Sequence, residues 1–130
     1  MVRKATVQVI LLAALVVGCA GAWTAVPATA EPKAPEKFTA LCAPCHGPAG
    51  EGNGPAAAAL NPKPRNFTDG KLMNAKTDAQ LIKAIKEGGA AVGLSSFMPT
   101  WAGQLSDEEV MEIVTYIRSL ALPKYQLKKY

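Results

Sequence analysis

Histidine and cysteine are scarce in this chain of 130 residues, which narrows the metal chemistry open to it. It has one histidine, His46, and three cysteines, Cys19, Cys42 and Cys45. A structural zinc site takes four such ligands, and Cys19 falls in an N-terminal stretch typical of a targeting segment. The composition therefore argues against structural zinc and excludes any site built from two histidines of this chain.

Clusters of basic residues are also lacking. The formal net charge is +4, from 14 Lys and Arg against 10 Asp and Glu, and only 6% of the residues are aromatic. A nucleic-acid interface gathers Lys and Arg on one face or along one helix, whereas here they are scattered. The charge pattern therefore predicts no nucleic-acid partner.

The N-terminal residues have the pattern of an export segment. Arg3 and Lys4 precede an apolar run from Val7 to Val26, and Pro27-Ala28-Thr29-Ala30 resembles a cleavage site, so residues 1–30 are predicted to be a secretory signal peptide. Two alternatives are a lipobox acylated at Cys19 and an uncleaved membrane anchor, either of which would tether the protein to a membrane. All three place the remaining domain, residues 31–130, in the periplasm or otherwise outside the cytoplasm.

Thiols and imidazole come together in one place, Cys42-Ala43-Pro44-Cys45-His46. The two cysteines lie about one helical turn apart, and the histidine that follows points to the same side. Each thiol can add to one vinyl group of a haem while His46 is drawn under the iron, so the motif predicts covalent attachment of one haem c. The alternative is a thiol-disulfide oxidoreductase, but a thioredoxin-like dithiol follows a β-strand, and no alternating β-branched run precedes Cys42.

A helix should carry this motif. Pro35 suits the first position of a helix, and four residues after it share one face at helical spacing: Phe38, Leu41, Cys42 and Cys45. Pro44 cannot continue a regular helix for long, so we expect the helix to end around the motif.

The stretch from Gly47 to Phe67 is rich in glycine and proline, which predicts an ordered loop along one edge of the haem. We expect a backbone carbonyl near Pro55 or Pro62 to accept the Nδ1 proton of His46. Arg65 arrives just after this loop, where it is either a partner for a haem propionate or a surface arginine in solvent.

Two further helices are marked by capping boxes. Thr77 and Gln80 open the first, which ends at Gly88-Gly89, and Ser106 and Glu109 open the second. Apolar residues recur at helical spacing along the second helix until Pro123. The sequence therefore predicts an all-α fold.

Met98 is the best candidate for a second axial iron ligand, on the face opposite His46. Pro99 keeps its segment extended, whereas Met111 falls in the last helix and Met73 in a polar stretch. The alternative for Met98 is a buried loop methionine. Ligation by histidine and methionine closes both axial positions, which favours an electron carrier; a labile Met98 would instead suit a haem enzyme or gas sensor.

Taken together, these motifs resemble those of the class I c-type cytochromes, which are small monohaem electron carriers. The resemblance rests on CAPCH near the start, MPTW in the expected order and the closing helix SDEEVMEIVTYIRSL. It implies Cys42 and Cys45 as haem thioethers, His46 as proximal ligand and Met98 as distal ligand. It also implies that Trp101 donates its indole N–H to a propionate, with a core aromatic as the equal alternative.

The same resemblance implies an architecture and a function. Three to five helices would wrap one covalent haem, with the first and last helices crossing where Phe38 meets Tyr116, next to Ala34 and Ile113. The protein would not be an enzyme. It would move single electrons outside the cytoplasm between donor and acceptor redox proteins, as in a respiratory chain.

Overall fold

The computed structural model describes residues 32–124, and the regular structure in this part of the chain is helical. Four α-helices occur in the order α1 (Ala43–His46), α2 (Gly70–Asn74), α3 (Asp78–Glu87) and α4 (Asp107–Leu120). A π-helical turn, Phe38–Cys42, leads directly into α1, and 3-10 turns cover Pro55–Ala59 and Ala90–Val92. The predicted all-α fold with three to five helices is confirmed.

The predicted export segment, residues 1–30 with Cys19, lies outside the described residues. Within residues 32–124, the structure contains no helix that combines the length and the hydropathy needed to cross a membrane.

Helix α4 forms where the capping box predicted it. The Ser106 hydroxyl accepts the Glu109 N–H at 3.2 Å, and the Glu109 carboxylate accepts the Ser106 N–H at 2.9 Å. Three acidic residues in the first turn face the positive end of the helix dipole. One face of the helix is buried and carries Val110, Ile113, Val114, Tyr116 and Ile117. The helix ends at Leu120, before Pro123, because Ala121 is extended.

Helix α3 begins at a second capping box, between Thr77 and Gln80, also as predicted. It stops at Gly88, whose φ of +83° is a left-handed conformation that glycine adopts without steric cost. Helix α3 therefore ends at Gly88, and the next residue, Gly89, donates its N–H to the Met98 carbonyl.

Helix α2 was not indicated by the sequence pattern. Its N-cap is Asp69, whose side chain accepts the Leu72 N–H at 3.1 Å, and it buries Met73 to 1% exposure. The expectation that Met73 lies in a polar stretch is correct for its sequence neighbours, but the side chain itself belongs to the core. The segment is too short for its hydrophobic periodicity to show which residue is buried. Only tertiary packing reveals that the Met73 side chain lies in the core.

The π-helical turn Phe38–Cys42 meets α4 at the aromatic pair that the resemblance implied. The rings of Phe38 and Tyr116 meet edge to face, with centroids 4.7 Å apart, and Ile113 is fully buried beside them while Ala34 packs on the core from outside. The Tyr116 hydroxyl also donates to the Pro48 carbonyl at 3.2 Å. These two contacts of Tyr116 therefore connect α4 both to the π-helical turn and to the loop after α1.

Candidate haem-binding site

A cavity of about 770 Å³ lies between the CAPCH motif, the returning end of the following loop, and helices α3 and α4. This volume falls within the range of small-molecule and cofactor pockets in proteins. All six candidate contacts for a haem or its iron line its wall: Cys42, Cys45, His46, Arg65, Met98 and Trp101. The fold therefore brings into one cavity residues that are up to 59 positions apart in the sequence, from Cys42 to Trp101.

His46 is held in one orientation and one tautomer suited to binding a metal. Its ring is buried, and Nδ1 donates to the Arg65 backbone carbonyl at 2.9 Å. Because Nδ1 carries the proton in that hydrogen bond, Nε2 keeps its lone pair for a metal. Burial lowers the pKa of His46, so the imidazole is neutral at physiological pH.

The acceptor for the His46 proton was predicted wrongly near Pro55 or Pro62. It is the carbonyl of Arg65, because the loop turns back on itself and its returning end runs past the histidine. The Phe67 N–H donates to the Gly50 carbonyl at 2.7 Å, and the Gly52 N–H donates to the His46 carbonyl at 2.7 Å. These bonds align the two arms of the loop and place the main chain of Arg65 beside the imidazole.

Phe67 is a site residue that sequence reasoning missed. Its ring stacks on His46 with 4.3 Å between centroids and 14° between ring planes. The signal available in the sequence was an aromatic residue at the end of the predicted loop. Only the return of that loop places this ring against the histidine.

The two cysteines are not joined to each other in a disulfide, and both lie partly buried on the cavity wall. Burial, with a smaller contribution from neighbouring Cys45, raises the pKa of the Cys42 thiol to about 11. A redox-active dithiol needs a low-pKa thiolate as its nucleophile, and Cys42 is protonated at neutral pH. The environment of Cys42 therefore disfavours thiol-disulfide exchange.

The loop after the motif packs directly on α1 because glycine allows a close approach. The Gly54 N–H donates to the Cys45 carbonyl at 3.1 Å. A Cβ atom on Gly54 would lie 2.4 Å from the Pro44 carbonyl oxygen and 2.5 Å from that of Ala43. The loop thus satisfies a carbonyl at the end of α1, where no intrahelical donor exists, and braces the motif from outside.

Met98 is distinguished from the other methionines by its position. Among the residues that the structure describes, Met98 lines the cavity, whereas Met73 is buried in the core and Met111 is 46% exposed on α4. Met98 is also partly buried against the core. The thioether on the cavity wall therefore belongs to the residue that the sequence favoured.

Arg65 and Trp101 both reach the cavity, and each has a backbone role as well. The Arg65 carbonyl holds His46, and the Trp101 N–H donates to the Ile85 carbonyl of α3 at 3.1 Å. Contact of either side chain with a propionate stays a prediction.

The donor set suits a haem. Two thiols one turn apart match the two vinyl groups, a neutral imidazole with a fixed tautomer suits iron, and a thioether is available from a separate segment. The rest of the wall is largely apolar, with lining residues such as Leu41, Ile85 and Ile117, which suits the porphyrin ring.

Comparison with known proteins agrees with this chemistry. The family model for cytochrome c matches residues 33–121. A curated relative, the cbb3-type cytochrome c oxidase subunit FixP of Azorhizobium caulinodans, is 31% identical over 88 residues, which is 68% of this chain and 26% of the relative, so this chain spans about a quarter of that protein's length.

A solved structure, a chain of the reducing HAO-like protein complex of Kuenenia stuttgartiensis, has 29% sequence identity and a TM-score of 0.54. The match covers 69% of this chain and 44% of that one. Motif, cavity, fold and family match agree, and this chain belongs to the cytochrome c family, as a class I c-type cytochrome that carries covalent haem c and takes part in electron transfer.

Proposed function

We propose that this domain is a one-electron carrier that works outside the cytoplasm, with haem c joined to Cys42 and Cys45 and its iron bound by His46 and Met98. A haem bound in this cavity supplies one-electron chemistry, since its iron alternates between Fe(II) and Fe(III). The observation that carries the proposal is that a fixed neutral imidazole and a methionine from a separate segment line the same cavity as the two thiols.

Each side chain has a distinct part in this proposal. Cys42 and Cys45 would hold the haem through two thioethers, each formed by addition of a thiol S–H across one vinyl double bond, so that no leaving group is needed. His46 offers Nε2 to the iron while its Nδ1–H is held by Arg65. Met98 would supply a second iron ligand from a separate segment, and two protein ligands would favour a carrier over an enzyme.

The relatives support redox proteins as partners. One is named as an oxidase subunit, and the other belongs to a complex named HAO-like. We propose that this domain receives an electron from a donor complex and passes it to an acceptor such as an oxidase or a terminal reductase. The predicted N-terminal segment, residues 1–30, supports a periplasmic or other extracytoplasmic location, with or without a membrane tether.

The proposal is tested by the intact mass and the optical spectrum of protein exported from a host that matures c-type cytochromes. We expect the polypeptide mass plus one haem, cleavage after Ala30, and a low-spin six-coordinate spectrum in both oxidation states. Colourless protein with polypeptide mass alone would contradict the proposal. Acylation at Cys19 would instead identify the lipid-anchored form and leave the carrier function intact.

The distal ligand is tested separately with Met98→Ala. This variant should lose the far-red sulfur-to-iron band of the ferric protein, and its ferrous form should bind carbon monoxide at neutral pH. The matched control is Met111→Ala, because Met111 is exposed on α4 and lies away from the cavity lining. Carbon monoxide binding to the wild-type ferrous protein would favour a haem enzyme or gas sensor.

A further inference from the structure

The segment that carries Met98 is held by the end of helix α3. The last carbonyls of an α-helix have no intrahelical donors. In α3, the Ile85 carbonyl accepts the Trp101 N–H at 3.1 Å, and the Lys86 carbonyl accepts the Ala102 N–H at 3.2 Å. The chain after Met98 therefore completes the hydrogen bonding of α3.

The chain before and at Met98 is held by the glycine pair that follows α3. The Gly89 N–H donates to the Met98 carbonyl at 3.0 Å. A Cβ atom on Gly89 would lie 2.1 Å from the Ser95 carbonyl oxygen, and one on Gly88 would lie 3.0 Å from the Met98 carbonyl oxygen. This close approach of two backbone segments requires glycine.

Thr100 adds a side-chain hydrogen bond to the end of α3. Its hydroxyl donates to the Lys86 carbonyl, which is thus shared between this hydroxyl and the Ala102 N–H. Thr100 itself is exposed and lies two residues after Met98, so it contributes little to the core. Its hydroxyl bond fixes the chain on the far side of Pro99 from the methionine.

We propose that Thr100 is a positioning residue for Met98, and that its bond to the end of α3 sets how firmly the thioether is held at the haem iron. This proposal rests on the proposed function, because it takes Met98 as the distal ligand. Residues 98–102 act as one strap, fixed at Gly89 on one side and at Lys86 on the other, so loosening either end makes Met98 easier to displace.

The test measures displacement of Met98 by imidazole in the ferric haem protein, followed at the far-red sulfur-to-iron band. Thr100→Val removes the hydroxyl and keeps the branched shape. We expect it to raise the apparent affinity for imidazole by roughly two- to tenfold, the factor that corresponds to one net hydrogen bond. Thr100→Ser keeps the hydroxyl and should restore the wild-type affinity.

A matched control comes from helix α4. The Thr115 hydroxyl donates to the Met111 carbonyl at 2.8 Å, which is the same kind of bond at an exposed position away from the cavity lining. Thr115→Val should leave imidazole affinity at the wild-type value. An equal rise in Thr100→Val and Thr115→Val would overturn the proposal, because it would reflect general loosening of the protein.

A second pair of variants tests the other end of the strap. Gly89 has an ordinary helical φ of −64°, so the penalty of Gly89→Ala comes from its close contacts alone. We expect a rise in imidazole affinity of more than about tenfold, or loss of the band, since overpacking here displaces backbone. Gly103→Ala is the control, because nothing lies within 4 Å of a Cβ there.

The results separate this proposal from the assignment on which it rests. If the wild-type ferric protein lacks the sulfur-to-iron band, Met98 is not the ligand. The assignment of Met98 and the positioning role of Thr100 then both fail. If the wild type has the band but Thr100→Val and Gly89→Ala bind imidazole as the wild type does, the carrier function stands and the positioning role fails.

Discussion

The imidazole of His46 lies parallel to the ring of Phe67, with 4.3 Å between centroids and 14° between planes. The ring of Phe67 in turn packs near that of Phe38, with 6.3 Å between centroids, and the Phe38 ring meets the ring of Tyr116 on α4 edge to face. A row of four rings therefore joins the proposed iron ligand to the longest helix. The orientation of the imidazole is set by its direct stack on Phe67 as well as by its hydrogen bond to Arg65.

Phe67→Leu should alter the setting of the imidazole. The smaller side chain removes the stacked ring and leaves space in the core, so we expect unfolding free energy to fall by roughly 1–2 kcal/mol. We also expect shifted g-values in the electron paramagnetic resonance spectrum of the ferric protein, because the ring of His46 loses one of its two restraints.

Phe38→Leu is the matched control for that change. Phe38 is fully buried and contacts Phe67 and Tyr116, so its loss should lower stability by a similar amount. The g-values should stay at those of the wild type, since no contact between the Phe38 and His46 rings is involved. Equal spectral shifts in the two variants would contradict a specific role for the Phe67 stack.

Gly54→Ala should weaken the brace on the haem motif. The φ of Gly54 is −59°, which alanine adopts freely, so the cost comes from the contact of Cβ with the carbonyl oxygens of Ala43 and Pro44. We expect a loss of about 1–3 kcal/mol in denaturant unfolding of the haem protein. Gly103→Ala, with open space around its Cβ, should unfold as the wild type does, and an equal loss there would argue against the close contact as the cause.

Arg118→Lys should weaken the hydrogen bonds that connect α4 to α2, to α3 and to the chain between them. The Arg118 side chain is 10% exposed and donates to the carbonyls of Met73 and Lys76 at 2.6 Å each and to the Asp78 carboxylate at 2.8 Å. One ammonium group cannot reproduce these three directions, so we expect a loss of about 1–3 kcal/mol in thermal or denaturant unfolding.

An exposed ion pair provides the comparison for Arg118. Lys83 and Glu87 pair at 3.3 Å on α3, with about half of each side chain exposed. Lys83→Ala should cost about 0.5 kcal/mol or less, because solvent screens such a pair. A cost for Arg118→Lys as small as that for Lys83→Ala would show that the three bonds contribute little.

The stabilisation that Glu109 contributes at the start of α4 should depend on pH. Its hydrogen bond from the Ser106 N–H, helped by Lys37, lowers its pKa below the ordinary 4.5. A lowered pKa in the folded state means that the stabilisation is present above pH 4.5 and is lost as the pH falls through the folded value. We expect Glu109→Gln to be less stable than the wild type near neutral pH and to approach it in acid.

Acid and neutral unfolding curves of both proteins check this expectation. Glu112→Gln, three residues further along α4 and outside the capping box, serves as the control for replacing a glutamate by glutamine on this helix. A stability difference between wild type and Glu109→Gln that does not change with pH would contradict the electrostatic explanation.

Local signals in the sequence were sufficient for much of this protein. The CAPCH motif, the capping boxes at Thr77 and Ser106 and the methionine before Pro99 each depend on residues within a few positions of one another, so short-range geometry determines them. The pairing of Phe38 with Tyr116 spans most of the domain and came from the family resemblance instead. Composition alone already argued against structural zinc.

The tertiary structure decided what depends on the path of the loop between Gly47 and Phe67. Arg65 became the acceptor for His46, and Phe67 its stacking partner, because the loop folds back between His46 and Arg65, which are 19 positions apart. The burial of Met73 and the strap formed by residues 98–102 likewise arise from contacts between separate segments. Such contacts depend on how the whole chain packs, whereas a motif depends only on residues that are adjacent in the sequence. For this reason the sequence determined the motifs, and only the tertiary structure decided the contacts between segments.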